Sequence, residues 1–397
     1  MIPALLPTYR RMDVAFDHGQ GAWLFDRDGR RYLDFCSGIA VTALGHAHPH
    51  LVATLQDQAG KLWHTSNLFR IPEQERLADR LVAASFADTV FFTNSGTEAI
   101  ELAIKMARKY HDDTGAPDRH RLITFAQAFH GRTLAAIAAA GQDKLIDGFG
   151  PLPGGFDIVD FADLDAVRAA IGPETAGIMV ETVQGEGGIR PLPTETLQAL
   201  RQIADDHGLL LILDEIQCGM GRTGKLFAFE WTGIAPDIVT AAKGIGSGFP
   251  FGACLATEKA AQGMTAGTHG STYGGNPLAM AVGNAVLDEM LKPGFLDHVT
   301  EMGRLLEGRL AALQQRFPGV VREVRGRGLM LGVKLAGVEP RAFVPKLLDR
   351  GLVTAPAGDN VIRLLPPLIV GPDEIDAAIA ILEGSLADLA AEAAPAK

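Results

Sequence analysis

Cysteine is scarce in this chain: three among 397 residues, Cys36, Cys218 and Cys254, with no CxxC spacing. A disulfide framework and a cysteine-based metal site are therefore excluded, and a reducing compartment fits. No apolar run approaches the ~18 residues of a membrane span. The opening segment, MIPALLPTYRRMDVAF, has no basic stretch followed by an apolar core, so a soluble, cytoplasmic protein is expected. Positive charge is also in deficit. A formal net charge of −11 and a pI near 5.5 argue against general affinity for nucleic acid or anionic membrane. Small molecules remain as ligands, since a local basic pocket can still hold a small anion. There is no tandem repeat and no low-complexity block apart from the Ala-rich end AAEAAPAK (390–397), which is expected to fray.

Against these absences stand 47% apolar residues, enough for a large core in a chain longer than one usual domain. From about residue 85 to 290, short aliphatic runs alternate with helical patterns: TVFFT (89–93), RLITFAQA (121–128), AGIMVETV (176–183), LLLILDE (209–215) and PDIVTAAK (236–243). That alternation predicts βαβ units on a mostly parallel sheet, an α/β fold. Between two of the runs, Leu197, Leu200, Ile203 and Ala204 share a helical face and Gly208 supplies a stop. Beyond about 295, long helices and two strands, GLMLGVKL (328–335) and VIRLLPPL (361–368), predict a smaller α+β domain. The expected division is an N-terminal segment 1–50 packing with the small domain, a large domain 51–295 and a small domain 296–397.

Three patterns mislead. Gly219-Met-Gly-Arg-Thr-Gly224-Lys225 has the GxxxxGK skeleton of a P-loop NTPase, but Leu226 replaces the Mg²⁺-binding hydroxyl and the loop follows Asp214-Glu215 instead of preceding it on another strand. Gly326-Arg-Gly328-Leu-Met-Leu-Gly332 leads into a strand, unlike a dinucleotide fingerprint. His46-Ala-His48-Pro-His50 invites a metal, yet no spacing singles out further ligands, and a packed turn is the favoured reading.

The chemistry lies elsewhere. Phe92-Thr-Asn-Ser-Gly-Thr-Glu runs from a strand through a glycine turn into a helix. Ser95 and Glu98 fit a capping box, while free N–H groups at Gly96 and Thr97 can also hold a phosphate. The run Gly208-Leu-Leu-Leu-Ile-Leu ends in Asp214 and Glu215, two carboxylates behind aliphatic residues, where an unpaired charge is costly and a cation is expected. Lys243 closes PDIVTAAK before a glycine-dense turn. Taken singly, each has a bland reading as a helix cap, a strand end and a boundary lysine. Taken together, an anion cradle, a buried carboxylate and a lysine at neighbouring strand ends match what pyridoxal 5′-phosphate (PLP) requires.

The blocks NSGTEA (94–99), FHGRT (129–133), ETVQGEGGI (181–189), LDEIQCGMGRTGK (213–225), AAKGIGSGFPFGA (241–253), GSTYGGNP (270–277) and RGRGLMLG (325–332) resemble, in order, the class III, fold-type-I PLP aminotransferases. SGIAVTALGHAHP (37–49), WHTSNLF (63–69) and AGTHGSTYGGNPLA (266–279) are most similar to its acetylornithine-using branch. The resemblance implies that Lys243 binds the cofactor covalently and then carries a proton. Asp214 would pair with the pyridine nitrogen, Gln217 reach the phenolic oxygen and Phe129 cover the ring. Ser95, Gly96 and Thr97 would hold the phosphate, joined by Thr272 from a partner subunit, which makes a homodimer with shared sites. Arg132 and Arg363 would clamp carboxylates, Ser271 contact the acylated substrate, and Glu186 engage Arg363 until a diacid arrives. Ile39 falls where ornithine δ-aminotransferases have a tyrosine, which favours an acylated donor. Thr182, where proline is commoner, and Cys218 depart from the usual blocks. The implied reaction moves the δ-amino group of N2-acetyl-L-ornithine to 2-oxoglutarate, giving N-acetyl-L-glutamate 5-semialdehyde and L-glutamate, with N-succinyl-LL-diaminopimelate as a second substrate. Ornithine, succinylornithine and 4-aminobutyrate transamination, an aminomutase or decarboxylase on this fold and, remotely, the NTPase stand as alternatives.

Overall fold

The computed structural model describes residues 2–392; the last five residues of the Ala-rich end lie outside it. Seven strands form the central sheet: β1 (Thr89–Thr93), β2 (Arg121–Phe125), β3 (Phe156–Val159), β4 (Thr175–Glu181), β5 (Leu210–Asp214), β6 (Ile238–Ala241) and β7 (Gly252–Ala256). Their spatial order is β1-β7-β6-β5-β4-β2-β3. Only β7 runs antiparallel to its neighbours; the remaining pairs, β6-β5, β5-β4, β4-β2 and β2-β3, are parallel. Every residue of β4 and β5 is buried, as expected of strands covered on both faces, which explains their unbroken aliphatic character.

In this sheet two strands escaped the sequence reading, as did Val321–Arg327 and the N-terminal strands described below. β3 is a half-buried edge strand with polar Asp157 in its middle, and β7 (GACLA) is small-residue sequence whose strand character comes from pairing on both sides. The expected 176–183 strand is interrupted at Thr182: Val183–Gln184 leaves the sheet to pair with Arg190–Pro191.

Helix α1 (Gly96–Asp113) starts at the carboxyl end of β1, and Ser95 Oγ accepts from Glu98 N at 3.3 Å. The reciprocal half of the capping box shifts by one residue, because the Glu98 carboxylate accepts from Asn94 N at 2.7 Å. Helix α2 (Thr194–His207) buries Leu197, Leu200, Ile203 and Ala204 and ends on Gly208 at φ 62°, the left-handed stop that a side chain would resist.

A second, antiparallel sheet of Val321–Arg327, Met330–Leu335, Val361–Leu364 and Ala355–Pro356 is covered by the helices Phe295–Arg316, Pro340–Asp349 and Pro372–Glu392. The 361–368 run is strand only to Leu364, since Pro366 and Pro367 cannot donate to a ladder. The N-terminal strands Phe16–Gln20, Trp23–Asp26 and Arg31–Asp34 form a third sheet, completed in parallel by Leu352–Val353. Among the described residues no helix is long and apolar enough to cross a membrane.

Candidate active site

The carboxyl ends of β1, β2, β4, β5 and β6 surround a cavity of 410 Å³, the place where parallel sheets bind ligands. Of the residues singled out from sequence, Ser95, Gly96, Thr97, Phe129, Arg132, Asp214, Gln217 and Lys243 line it. At one wall lies the start of α1. The first N–H groups of a helix have no intrahelical acceptor, and none is found here for Gly96 or Thr97 among the described residues. Gly131, at φ 128°, closes over this point, and a Cβ there would lie 2.1 Å from Thr97 Oγ1, so glycine is required.

In the same lining Asp214 is 3% exposed. The cation implied by sequence is partly supplied from within the chain: His130 Nδ1 lies 2.7 Å from Asp214 Oδ2, and Ile216 N donates to Oδ1 at 3.0 Å. Burial works against charge on His130, but the hydrogen bond to Asp214 and the attraction of that carboxylate outweigh it and raise its pKa. His130 Nε2 is buried without a partner. This histidine belongs to FHGRT but has no expected role from sequence, because its partner lies 84 residues away and leaves no local signal.

Glu181 was also missed. It is the register partner of Asp214 across β4 and β5, and it accepts from Phe129 N at 2.9 Å and Gly185 N at 3.1 Å. One carboxylate thus braces the backbone of the segment that carries Phe129 and of the loop that carries Glu186. Burial, then the charge of Asp214, pushes its pKa up to about 7.

Glu215 lies outside the cavity and resolves the other half of the paired-carboxylate problem. It accepts from Thr182 Oγ1 at 2.7 Å, Ala228 N at 2.7 Å and Phe229 N at 2.9 Å, with Cys218 Sγ at 3.4 Å. The two departures from the family blocks, Thr182 and Cys218, therefore surround one buried carboxylate, whose pKa burial pushes up to about 7.

Lys243 sits two residues past β6 at φ 52°, a left-handed conformation that a non-glycine residue holds only where its surroundings enforce it. Desolvation lowers its pKa; Glu186 opposes this and Arg363 reinforces it. An amine eased toward neutrality is the reactive form of lysine.

Arg363 is 2% exposed and does not line the cavity itself. It pairs with Glu186, while its Nη1 lies 3.2 Å from Gln217 Oε1 and Nη2 donates to Pro356 O at 3.0 Å. Arg132 is exposed at the cavity rim, its guanidinium carbon 5.6 Å from the Phe129 ring centroid, and makes no ion pair among the described residues. Ser271 and Thr272 line a neighbouring pocket with Glu98 and Glu101; Asn94 joins the two spaces, donating to Ser271 Oγ at 3.1 Å. Ile39 packs with Val183, Ile189 and Cys218 in a turn where Ser37, Gly38, Ile39 and Ala40 all hold positive φ.

The misleading motifs have structural uses. In the 219–225 loop, N–H groups are consumed internally, as in Gly221 N to Leu226 O at 3.1 Å and Gly224 N to Gly221 O at 2.9 Å. Its buried Arg222 donates to Leu329 O in a turn of the second sheet and to Pro366 O just past its strand Val361–Leu364. His46 and His50 reach separate carboxylates, Asp34 at 2.7 Å and Asp288 at 2.9 Å, and so do not converge.

Comparison with known proteins agrees with this geometry. Residues 6–386 match the family model described as aminotransferase class-III. An acetylornithine aminotransferase of Mesorhizobium japonicum is 62% identical over 376 residues, covering 95% of this chain and 94% of that protein. Among solved structures, N-acetylornithine aminotransferase from Stenotrophomonas maltophilia superposes with a TM-score of 0.85 at 40% identity, over 97% of this chain and 98% of that one. The ornithine aminotransferase of Toxoplasma gondii, with PLP at partial occupancy in its active site, gives 0.94 at 30% identity, over 98% and 93%. A lysine past a strand end, a buried aspartate and a helix start sharing one cavity are what such a likeness across nearly the whole length entails, and the chain belongs to the class III aminotransferases.

Proposed function

We propose that this protein is a PLP-dependent aminotransferase that moves the δ-amino group of N2-acetyl-L-ornithine to 2-oxoglutarate, giving N-acetyl-L-glutamate 5-semialdehyde and L-glutamate. The residues fit the cofactor on three grounds: N–H donors without acceptors among the described residues at Gly96 and Thr97, a buried carboxylate at Asp214 held by His130, and a desolvated lysine in the same cavity. Bound PLP supplies an electron sink for the pair left behind when a proton leaves the amine-bearing carbon. Asp214, backed by His130, keeps a proton on the pyridine nitrogen. The start of α1 holds the phosphate against the helix dipole. Phe129 covers a ring face, and Lys243 moves the proton at the reacting carbon. Thr272 of a second copy would complete the phosphate site, in a homodimer working in the cytoplasm.

The observation that carries the substrate assignment is the ion pair of buried Arg363 with half-buried Glu186, together with a rim arginine, Arg132, that has no carboxylate partner among the described residues. A donor with one distant carboxylate needs one free arginine, whereas 2-oxoglutarate and glutamate need two. With Glu186 neutralising Arg363, the site suits the first class; a diacid displaces Glu186 and takes both. Apolar Ile39 offers no hydroxyl to a free α-amine and so supports an acylated donor. N-succinyl-LL-diaminopimelate, which also pairs a reacting amine with an acylated end, is the second donor expected. An aminomutase or decarboxylase has no use for an exchangeable arginine.

The test is a panel of acetylornithine, ornithine, succinylornithine, succinyl-diaminopimelate and 4-aminobutyrate, with 2-oxoglutarate consumption followed. Stoichiometric consumption with acetylornithine as the preferred donor is expected. Turnover without 2-oxoglutarate would refute the reading. Lys243→Ala should lose the covalently held cofactor absorbance, and its survival would place the attachment elsewhere.

A further inference from the structure

The carboxamide of Gln217 has two ends with different fates. Its Oε1 lies 3.2 Å from Arg363 Nη1, and a guanidinium can only donate, so the oxygen must face the arginine. Nε2 then points the other way. Gln217 lines the cavity, and Nε2 donates to no protein group among the described residues. Gly185 closes the third side: a Cβ there would sit 2.2 Å from Oε1 and 2.5 Å from Nε2, so the amide lies flat against that backbone. Arg363 is itself held by Glu186 and by Pro356 O.

We propose that Arg363 is a positioning residue for Gln217, locking the amide so that an N–H donor, never the carbonyl oxygen, is presented to the phenolic oxygen of the cofactor. This rests on the PLP reading above and adds to it: the inner arginine acts on the resting enzyme, before any substrate carboxylate arrives. A fixed donor stabilises the deprotonated phenolic oxygen and lowers the proton affinity of the cofactor. Without Arg363 the amide can turn over and offer its oxygen, which raises that affinity. Because Nη1 is shared between Glu186 and Gln217, a diacid that draws Arg363 toward itself also changes the anchor of the amide. Substrate carboxylate and cofactor protonation are thereby coupled through one nitrogen.

The experiment is a pH titration of cofactor absorbance in the substrate-free holoenzyme, for wild type, Arg363→Ala, Gln217→Ala and the double variant. A hydrogen bond to a charged group corresponds to an upward shift of about one to two pH units when lost, expected in each single variant. In the double variant the two shifts should not add, because Arg363 acts through Gln217. Arg363→Lys, which keeps a donor for Oε1, should titrate closer to wild type than Arg363→Ala. Additive shifts would assign the effect of Arg363 to its charge alone and overturn the inference. Gln217→Ala titrating like wild type would overturn it as well, even if Arg363 variants failed to fold. Failure of the PLP reading looks different: wild type itself would then bind no chromophore.

Discussion

Removing the Glu186 carboxylate should separate the two half-reactions. In Glu186→Ala, Arg363 keeps Gln217 Oε1 and Pro356 O but loses its only ion-pair partner among the described residues. Breaking a fully buried pair costs about 3–5 kcal/mol. Glu186 is 30% exposed and two acceptors remain on the arginine, so roughly half of that, about 2 kcal/mol, is the expected penalty. In the free variant water can reach the vacated place and screen Arg363; acetylornithine excludes that water and brings no second carboxylate, so the penalty falls on the complex and kcat/KM should fall about 30-fold. When 2-oxoglutarate binds, its second carboxylate fills the place of Glu186 and no displacement is needed. The KM for 2-oxoglutarate should therefore hold or fall. Single-turnover rates for each half-reaction, measured by cofactor absorbance, give the two ratios separately. Equal losses for both substrates would refute the exchange of partners on Arg363.

Gly131→Ala should weaken PLP binding more than tenfold by equilibrium dialysis, since φ 128° and the 2.1 Å approach to Thr97 Oγ1 leave no room for a methyl group. Arg132→Ala should raise the KM for acetylornithine and for 2-oxoglutarate, each by about five- to tenfold, because the arginine is exposed at rest and worth about 1 kcal/mol there. Glu215 has its pKa raised from 4.5 to about 7 by burial, so the folded state binds its proton more tightly than the unfolded one. Its stabilising effect is complete below pH 4.5 and is lost as pH rises through about 7. Apoprotein melting temperatures for Glu215→Gln should accordingly depend less on pH between 4.5 and 7 than those of wild type.

The legible parts of the site were those whose signal is local. A strand, a glycine turn and a capped helix announce an anion cradle within a dozen residues, and an aliphatic run ending in two carboxylates announces a buried charge. The seven ordered motifs contain Lys243, Asp214 and Gln217, and all three line the one cavity. What stayed hidden depends on partners far along the chain. Nothing near His130 marks Asp214 as its acceptor, and nothing near Glu181 shows that it braces Phe129 and Gly185 together. The roles of Asp214 and Glu215 diverge for the same reason. One meets the cavity, and the other meets Thr182, Cys218 and the turn at Ala228.

The alternation of buried strands and amphipathic helices was determined by the sequence alone, because periodicity and turn residues act over a few positions. Strand order, the antiparallel β7 and the shared hydrogen bonding of Arg363 were decided by tertiary structure. The pairing of β7 with β1 and the contacts of Arg363 with Glu186 and Gln217 join segments more than a hundred residues apart, and a satisfied set of partners in a buried space is a property of the packed whole.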